Sequence, residues 1–137
     1  MKEVYMKRIY QIGDSHTHIF QTLPAHSANY SRDSLPNVFG TPFLVMAVEE
    51  AAAALMEFWL EPGESSVGAQ ITIRHTSPTP IGMEVRTVAT LTETDGRKFV
   101  FDVACFDEIE KIGYAQLTRF VIKKQDLESI VAKKVHQ

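Results

Sequence analysis

The chain has 137 residues, 14 Lys and Arg against 17 Asp and Glu, a formal charge of -3 and a single cysteine, Cys105. That length suits one domain over residues 1–137, burying roughly two thirds of the surface its unfolded form exposes. One cysteine excludes an internal disulfide framework and points to a reducing, cytoplasmic setting. The scattered basic residues argue against nucleic acid, and no secretory leader or bilayer-length apolar run is present, which argues against a membrane.

In chain order, residues 12–22, "IGDSHTHIFQT", alternate well enough for a first strand, and 23–40 carry two prolines and many small polar residues, the mark of a long excursion. A helix is predicted from about Pro42 to about Leu60, stopped by Pro62 and Gly63. Four strand-like stretches follow near 66–76, 83–94, 97–107 and 111–124, with "TDGR" and "DEIEK" as hairpin turns between the last three. A short amphipathic helix over about 125–134 ends the pattern. One strand, one apolar helix and four antiparallel strands form an α+β domain, most simply a sheet wrapped around the helix, the hot-dog arrangement. A cone-shaped sheet with a helix on one face fits the same pattern. By analogy of fold, a hot-dog subunit pairs with a second, so at least a homodimer is expected.

The helix "TPFLVMAVEEAAAALMEFWL" holds two adjacent glutamates. At 100° per residue Glu50 shares a stripe with Glu57 and Glu61, a rim facing water or a partner. Glu49 instead projects among Val45, Met46, Ala52, Ala53 and Met56, where an unpaired carboxylate would cost several kcal/mol. In "SVGAQITIRHT", strict alternation puts Val67, Ala69, Ile71, Ile73 and His75 on one face and Gly68, Gln70, Thr72 and Arg74 on the other. His75 then ends a helix-facing row and is the expected partner of Glu49. Thr41 and Pro42 read as ordinary helix-start residues, Thr41 as the N-cap.

The stretches "VFGTPFLVMAVEEAAAALM" and "LEPGESSVGAQITIRHTSPTPIG" closely resemble the fluoroacetyl-CoA thioesterase family of hot-dog enzymes, over roughly residues 10–124. The resemblance implies that Thr41, Glu49 and His75 carry the chemistry, that Gly68 is the family's strand glycine, and that the substrate is an acyl thioester of coenzyme A, with no other cofactor and no metal. Thioester hydrolysis needs a nucleophile or an activated water and a cradle for the oxyanion. Glu49 suits a base or nucleophile, and the positive end of the helix suits the oxyanion. Thr41 is placed to position the carbonyl, to donate a hydrogen bond or to attack. If both are helical, Thr41 and Glu49 lie roughly 12 Å apart along the axis and flank the substrate.

Pro42 stands where the family usually has glycine and offers no N–H, so the oxyanion role passes to another amide, such as that of Phe43. The stretch "SRDSLPNVFG" before the helix has Phe39 as its one aromatic, so preference for a fluorinated acyl group is not carried over and the acyl group stays open. Phe39, Phe43 and Arg119 are candidate substrate contacts. Arg97, Lys98, Lys123 and Lys124, with Arg119, are candidates for the coenzyme A phosphates. His16 and His18 share a strand face and are expected to pack rather than bind metal. Cys105, in line with Phe99, Phe101 and Val103, is expected as a small buried hydrophobe. The reading is an acyl-CoA thioesterase for a small acyl group, with a non-catalytic acyl-CoA-binding module as the alternative.

Overall fold

A computed structural model describes residues 9–136. Its strands are β1 (Ser15–Gln21), β2 (Glu64–His75), β3 (Glu84–Thr94), β4 (Lys98–Phe106) and β5 (Lys111–Lys123), with helices α1 (Thr41–Glu57) and α2 (Lys124–Val135). All pairings are antiparallel, in the order β1-β3-β4-β5-β2. The sheet lies around α1 as the hot-dog reading expects, rather than as a cone-shaped sheet.

Helix α1 buries Leu44, Val48, Ala51, Ala52, Leu55 and Met56 against the inner row of the sheet, including Val85, Leu91, Phe101 and Leu117. Its alanines let the backbones approach closely enough for the buried Thr87 hydroxyl to donate to the Ala47 carbonyl at 2.9 Å. Each large side chain enclosed this way contributes roughly 1.5–3 kcal/mol. Trp59 closes one end of the core by stacking on Phe99 and Phe101. Cys105 is fully buried in the same row, and burial pushes its thiol up to about 12, so it stays protonated and inert.

The helix starts one residue earlier and ends three residues sooner than its sequence pattern predicts. Gly40, not Thr41, is the N-cap, with φ -78° and ψ 143°. The end comes at Glu57 because the amides of Trp59 and Leu60 both turn back to the Met56 carbonyl. Both hairpin turns are built by an aspartate: Asp95 Oδ1 accepts from the amides of Arg97 and Lys98, and Asp107 Oδ1 from those of Ile109 and Glu110.

The excursion before α1 is folded and tethered. It holds two single 3-10 turns, Pro24–His26 and Ala28–Tyr30. Phe39 N–H donates to the Thr79 carbonyl at 2.9 Å and Gly40 N–H to that of His26 at 2.9 Å, which fixes where the helix begins. His26, Tyr30 and Phe43 pack ring against ring over Phe20. On β1, His16 packs against Phe58 and His18 against Phe20, as expected of packing residues.

Strand β2 departs from the predicted alternation. Ser66 pairs with Val121 and Gly68 with Arg119, but Gln70 pairs with Thr118, so Ala69 is an extra residue in a β-bulge. One extra residue exchanges the faces on either side of it. Ser66 and Gly68 therefore share the helix-facing side with Ile71, Ile73 and His75, while Val67 turns outward. That correction decides the geometry around Glu49.

Candidate active site

Thr41 is the first residue of α1, and because Gly40 does the capping, its hydroxyl is free for another partner. It lies 2.8 Å from Nδ1 of His75, the last residue of β2. His75 reaches that position because Gly113 stands opposite it on β5, where any side chain would collide with the Arg74 carbonyl. The His75 Nε2 is buried and has no hydrogen-bond partner among the described residues. Burial holds the imidazole below the ordinary histidine pKa, partly offset by the Ser77 backbone. A neutral imidazole beside a hydroxyl is a base facing a nucleophile.

The helix start limits which amides can meet an oxyanion. Pro42 has no N–H, and the amides of Phe43 and Leu44 both donate to the Gly40 carbonyl, at 3.0 and 3.2 Å. The oxyanion role expected of Phe43 N–H is thus blocked by its bond to Gly40. Thr41 N–H has no acceptor among the described residues and stands at the positive end of the helix dipole. A cavity of about 320 Å³ opens beside the pair, walled by Ala28, Val38, Phe39 and Pro78, with Thr41 and His75 on its rim. Phe39 is a core residue that contributes to this wall, whereas Phe43 packs against the rings of the excursion.

Glu49 lies elsewhere in the chain. It is partly buried, two turns beyond Thr41, roughly 12 Å along the axis. Its Oε1 sits 2.8 Å from where a Cβ on Gly68 would be, so any side chain there would push the carboxylate out of this position against β2. Six residues of strand separate Gly68 from His75, roughly 20 Å. The convergence of Glu49 with His75 is therefore not made within one chain: His75 has Thr41, and the cation beside Glu49 is Arg119. Glu50, Glu57 and Glu61 form the exposed rim their spacing predicts.

Arg119 is only 8 % exposed, on the inner face of β5, and is no solvated strand end. Burial pulls its pKa down, and the charges of Glu49 and Glu50 pull it back. Arg97 and Lys123, by contrast, line a shallow groove at the sheet's far end. Ser66, absent from the sequence-based candidates, accepts from Arg119 Nε at 3.3 Å and from Nη2 at 3.1 Å. Strict alternation sends Ser66 outward, so without the bulge nothing marks it.

The family model described as fluoroacetyl-CoA-specific thioesterase matches residues 23–125, an interval containing Thr41, Glu49, Gly68, His75 and Arg119. The chain belongs to the fluoroacetyl-CoA-specific thioesterase family. It is 32% identical over 135 residues to the fluoroacetyl-CoA thioesterase of Streptantibioticus cattleyicolor, covering 94% of this chain and 97% of that one. A solved structure of the fluoroacetyl-CoA thioesterase FlK superposes with a TM-score of 0.88 at 31% identity, over 93% of this chain and 98% of that one. A Thermus thermophilus protein of the thioesterase superfamily, 22% identical over 94% of this chain and 96% of its own, shares the fold with a TM-score of 0.88. As a member of the fluoroacetyl-CoA-specific thioesterase family, the chain is an acyl-CoA thioester hydrolase of hot-dog fold, which disfavours the non-catalytic alternative.

Proposed function

We propose that the protein hydrolyses a short acyl thioester of coenzyme A, with Thr41 as nucleophile, His75 as its base and Glu49 as the base for water. The observation that carries this reading is the 2.8 Å contact of the Thr41 hydroxyl with Nδ1 of a neutral His75 at an open helix start. Thr41 Oγ1 attacks the thioester carbon as its proton passes to His75, and Thr41 N–H faces the developing oxyanion. The C–S bond breaks, and the thiol leaves with the proton from His75. Water, deprotonated by Glu49, then adds to the Thr41 ester; the bond from the acyl carbon to Oγ1 breaks, the proton held by Glu49 returns to Oγ1 by way of His75, and the acid leaves with all three side chains restored. The cavity beside the pair suits a small apolar acyl group. The complex of a FlK variant with fluoroacetate and CoA supports the carrier, and the single cysteine is consistent with a cytoplasmic setting. No helix among the described residues is long and apolar enough to cross a membrane.

The same reading requires a second copy. Among the described residues β2 pairs with β5 alone, and its other edge is open beside Gly68, Ala69 and Gln70. Antiparallel pairing of two such edges brings the Gly68 end of one strand beside the His75 end of the other. Glu49 of one copy then serves the Thr41–His75 pair of its mate.

The test is release of free thiol from a panel of acyl-CoAs. Wild type is expected to turn over small acyl groups, and Thr41→Ala, His75→Ala and Glu49→Gln to lose at least about 100-fold in kcat, as removal of a nucleophile or general base does. Glu49→Gln is further expected to accumulate an acyl adduct on Thr41, visible as an intact-mass increase. Binding without turnover across the panel, or full turnover in Thr41→Ala, would overturn the assignment.

A further inference from the structure

Arg119 uses three of its hydrogen bonds on one residue. Its Nε and Nη2 donate to the Ser66 hydroxyl at 3.3 and 3.1 Å, and Nη2 also donates to the Ser66 carbonyl at 3.1 Å. The guanidinium is planar, so fixing that edge fixes the direction of the remaining nitrogen. That nitrogen, Nη1, lies at the gap over Gly68 that Glu49 also borders, with no direct hydrogen bond or ion pair between the two. The point above Gly68 where a Cβ would stand is 3.3 Å from Arg119 Nη1 and 2.8 Å from Glu49 Oε1, so cation and carboxylate bracket one space. Arg119 itself is only 8 % exposed, so little water reaches its charge.

We propose that Ser66 is a positioning residue of the active site: it clamps the Arg119 guanidinium so that Nη1 faces Glu49 across the gap left by Gly68 and holds the carboxylate in its working orientation. Three local features cooperate. The bulge at Ala69 turns Ser66 inward, the absent side chain at Gly68 opens the space, and the pairing of Gly68 with Arg119 sets the reach. A long carboxylate side chain that is only partly buried samples several rotamers, and a supporting cation selects among them. The catalytic half of this inference rests on the reading of Glu49 given above, while the structural half does not.

The experiment uses the full chain in three forms: wild type, Ser66→Ala and Ser66→Thr. One arm is independent of catalysis. The carboxyl 13C signal of Glu49, assigned by its disappearance in Glu49→Gln, is expected to move in Ser66→Ala and to return in Ser66→Thr, which keeps the hydroxyl. The second arm is steady-state thiol release. Ser66→Ala is expected to lose about tenfold in kcat with KM unchanged, the size of one charge-assisted hydrogen bond, and Ser66→Thr to recover most of it. A Glu49 signal that does not respond to Ser66→Ala overturns the proposal whether or not the protein is active. So does a Ser66→Thr protein as impaired as Ser66→Ala, which would mark a loss of packing. If the signal moves while wild type turns over no acyl-CoA, the clamp stands and the assignment of Glu49 to hydrolysis falls.

Discussion

The chemistry at the residue scale depends on small groups that let large ones meet. Gly68 is the clearest case: a methyl there would stand 2.8 Å from the Glu49 carboxylate, and the flexible end of Glu49 is what yields. Gly68→Ala is expected to lower kcat about tenfold while changing stability by less than about 1 kcal/mol, as thiol release and urea titration would report. In the proposed mechanism His75 sets the pH dependence. Burial lowers its pKa, so the folded protein keeps the imidazole neutral at pH values where the unfolded chain has already taken a proton. The acid limb of kcat/KM is accordingly expected below the ordinary histidine value of about 6.5. The same group makes stability fall with pH: its penalty is absent above the unfolded value, grows as pH drops through it, and is complete below the folded pKa. Urea midpoints between pH 7 and 5, compared with those of His75→Gln, would reveal that slope, and an equal slope in the variant would exclude His75 as its source. Thr41 was visible in the sequence as a start signal, but its hydroxyl is available for chemistry because Gly40 takes the cap.

At the scale of elements, one inserted residue in β2 organises half of the site. The bulge at Ala69 carries Ser66 and Gly68 to the helix side, beside Arg119 and Glu49. Deleting Ala69 would restore regular alternation, turn Ser66 outward and leave Arg119, buried on the inner face, without its acceptors. The expected result is a folded sheet, recognised by an unchanged circular dichroism spectrum, with turnover reduced at least about tenfold. Retained turnover would mean that the bulge serves packing alone. Alternation is readable along a regular strand, and from Ile71 to His75 it correctly put His75 on the inner face. It fails at a bulge because backbone pairing with β5, rather than side-chain pattern, decides where the extra residue is accommodated. The hairpins were legible for the opposite reason: Asp95 and Asp107 make local bonds that need no tertiary context.

For the molecule as a whole, the separation between Glu49 and His75 makes assembly a matter of mechanism. If each site takes Thr41 and His75 from one copy and Glu49 from the other, inactive Glu49→Gln and His75→Ala proteins complement each other on mixing. Half of the dimers are then hybrids, each with one intact site, so about a quarter of wild-type activity is expected after unfolding and refolding together. A mixture as inactive as its components would mean that each chain carries its own complete site. The sequence by itself determined the helix and the five strands, the hairpin turns, the inward row ending in His75 and the distinction of Glu49 from the exposed rim of Glu50, Glu57 and Glu61. These follow from periodicity and local hydrogen bonding, which act over a few residues. Only the tertiary structure decided that Thr41 meets His75, that Glu49 and Arg119 flank Gly68, that Ser66 holds Arg119, and that among the described residues β2 has an open edge. Those depend on strand order, a bulge and the absence of a Cβ, which arise between segments far apart in the chain and leave no periodic mark on any of them.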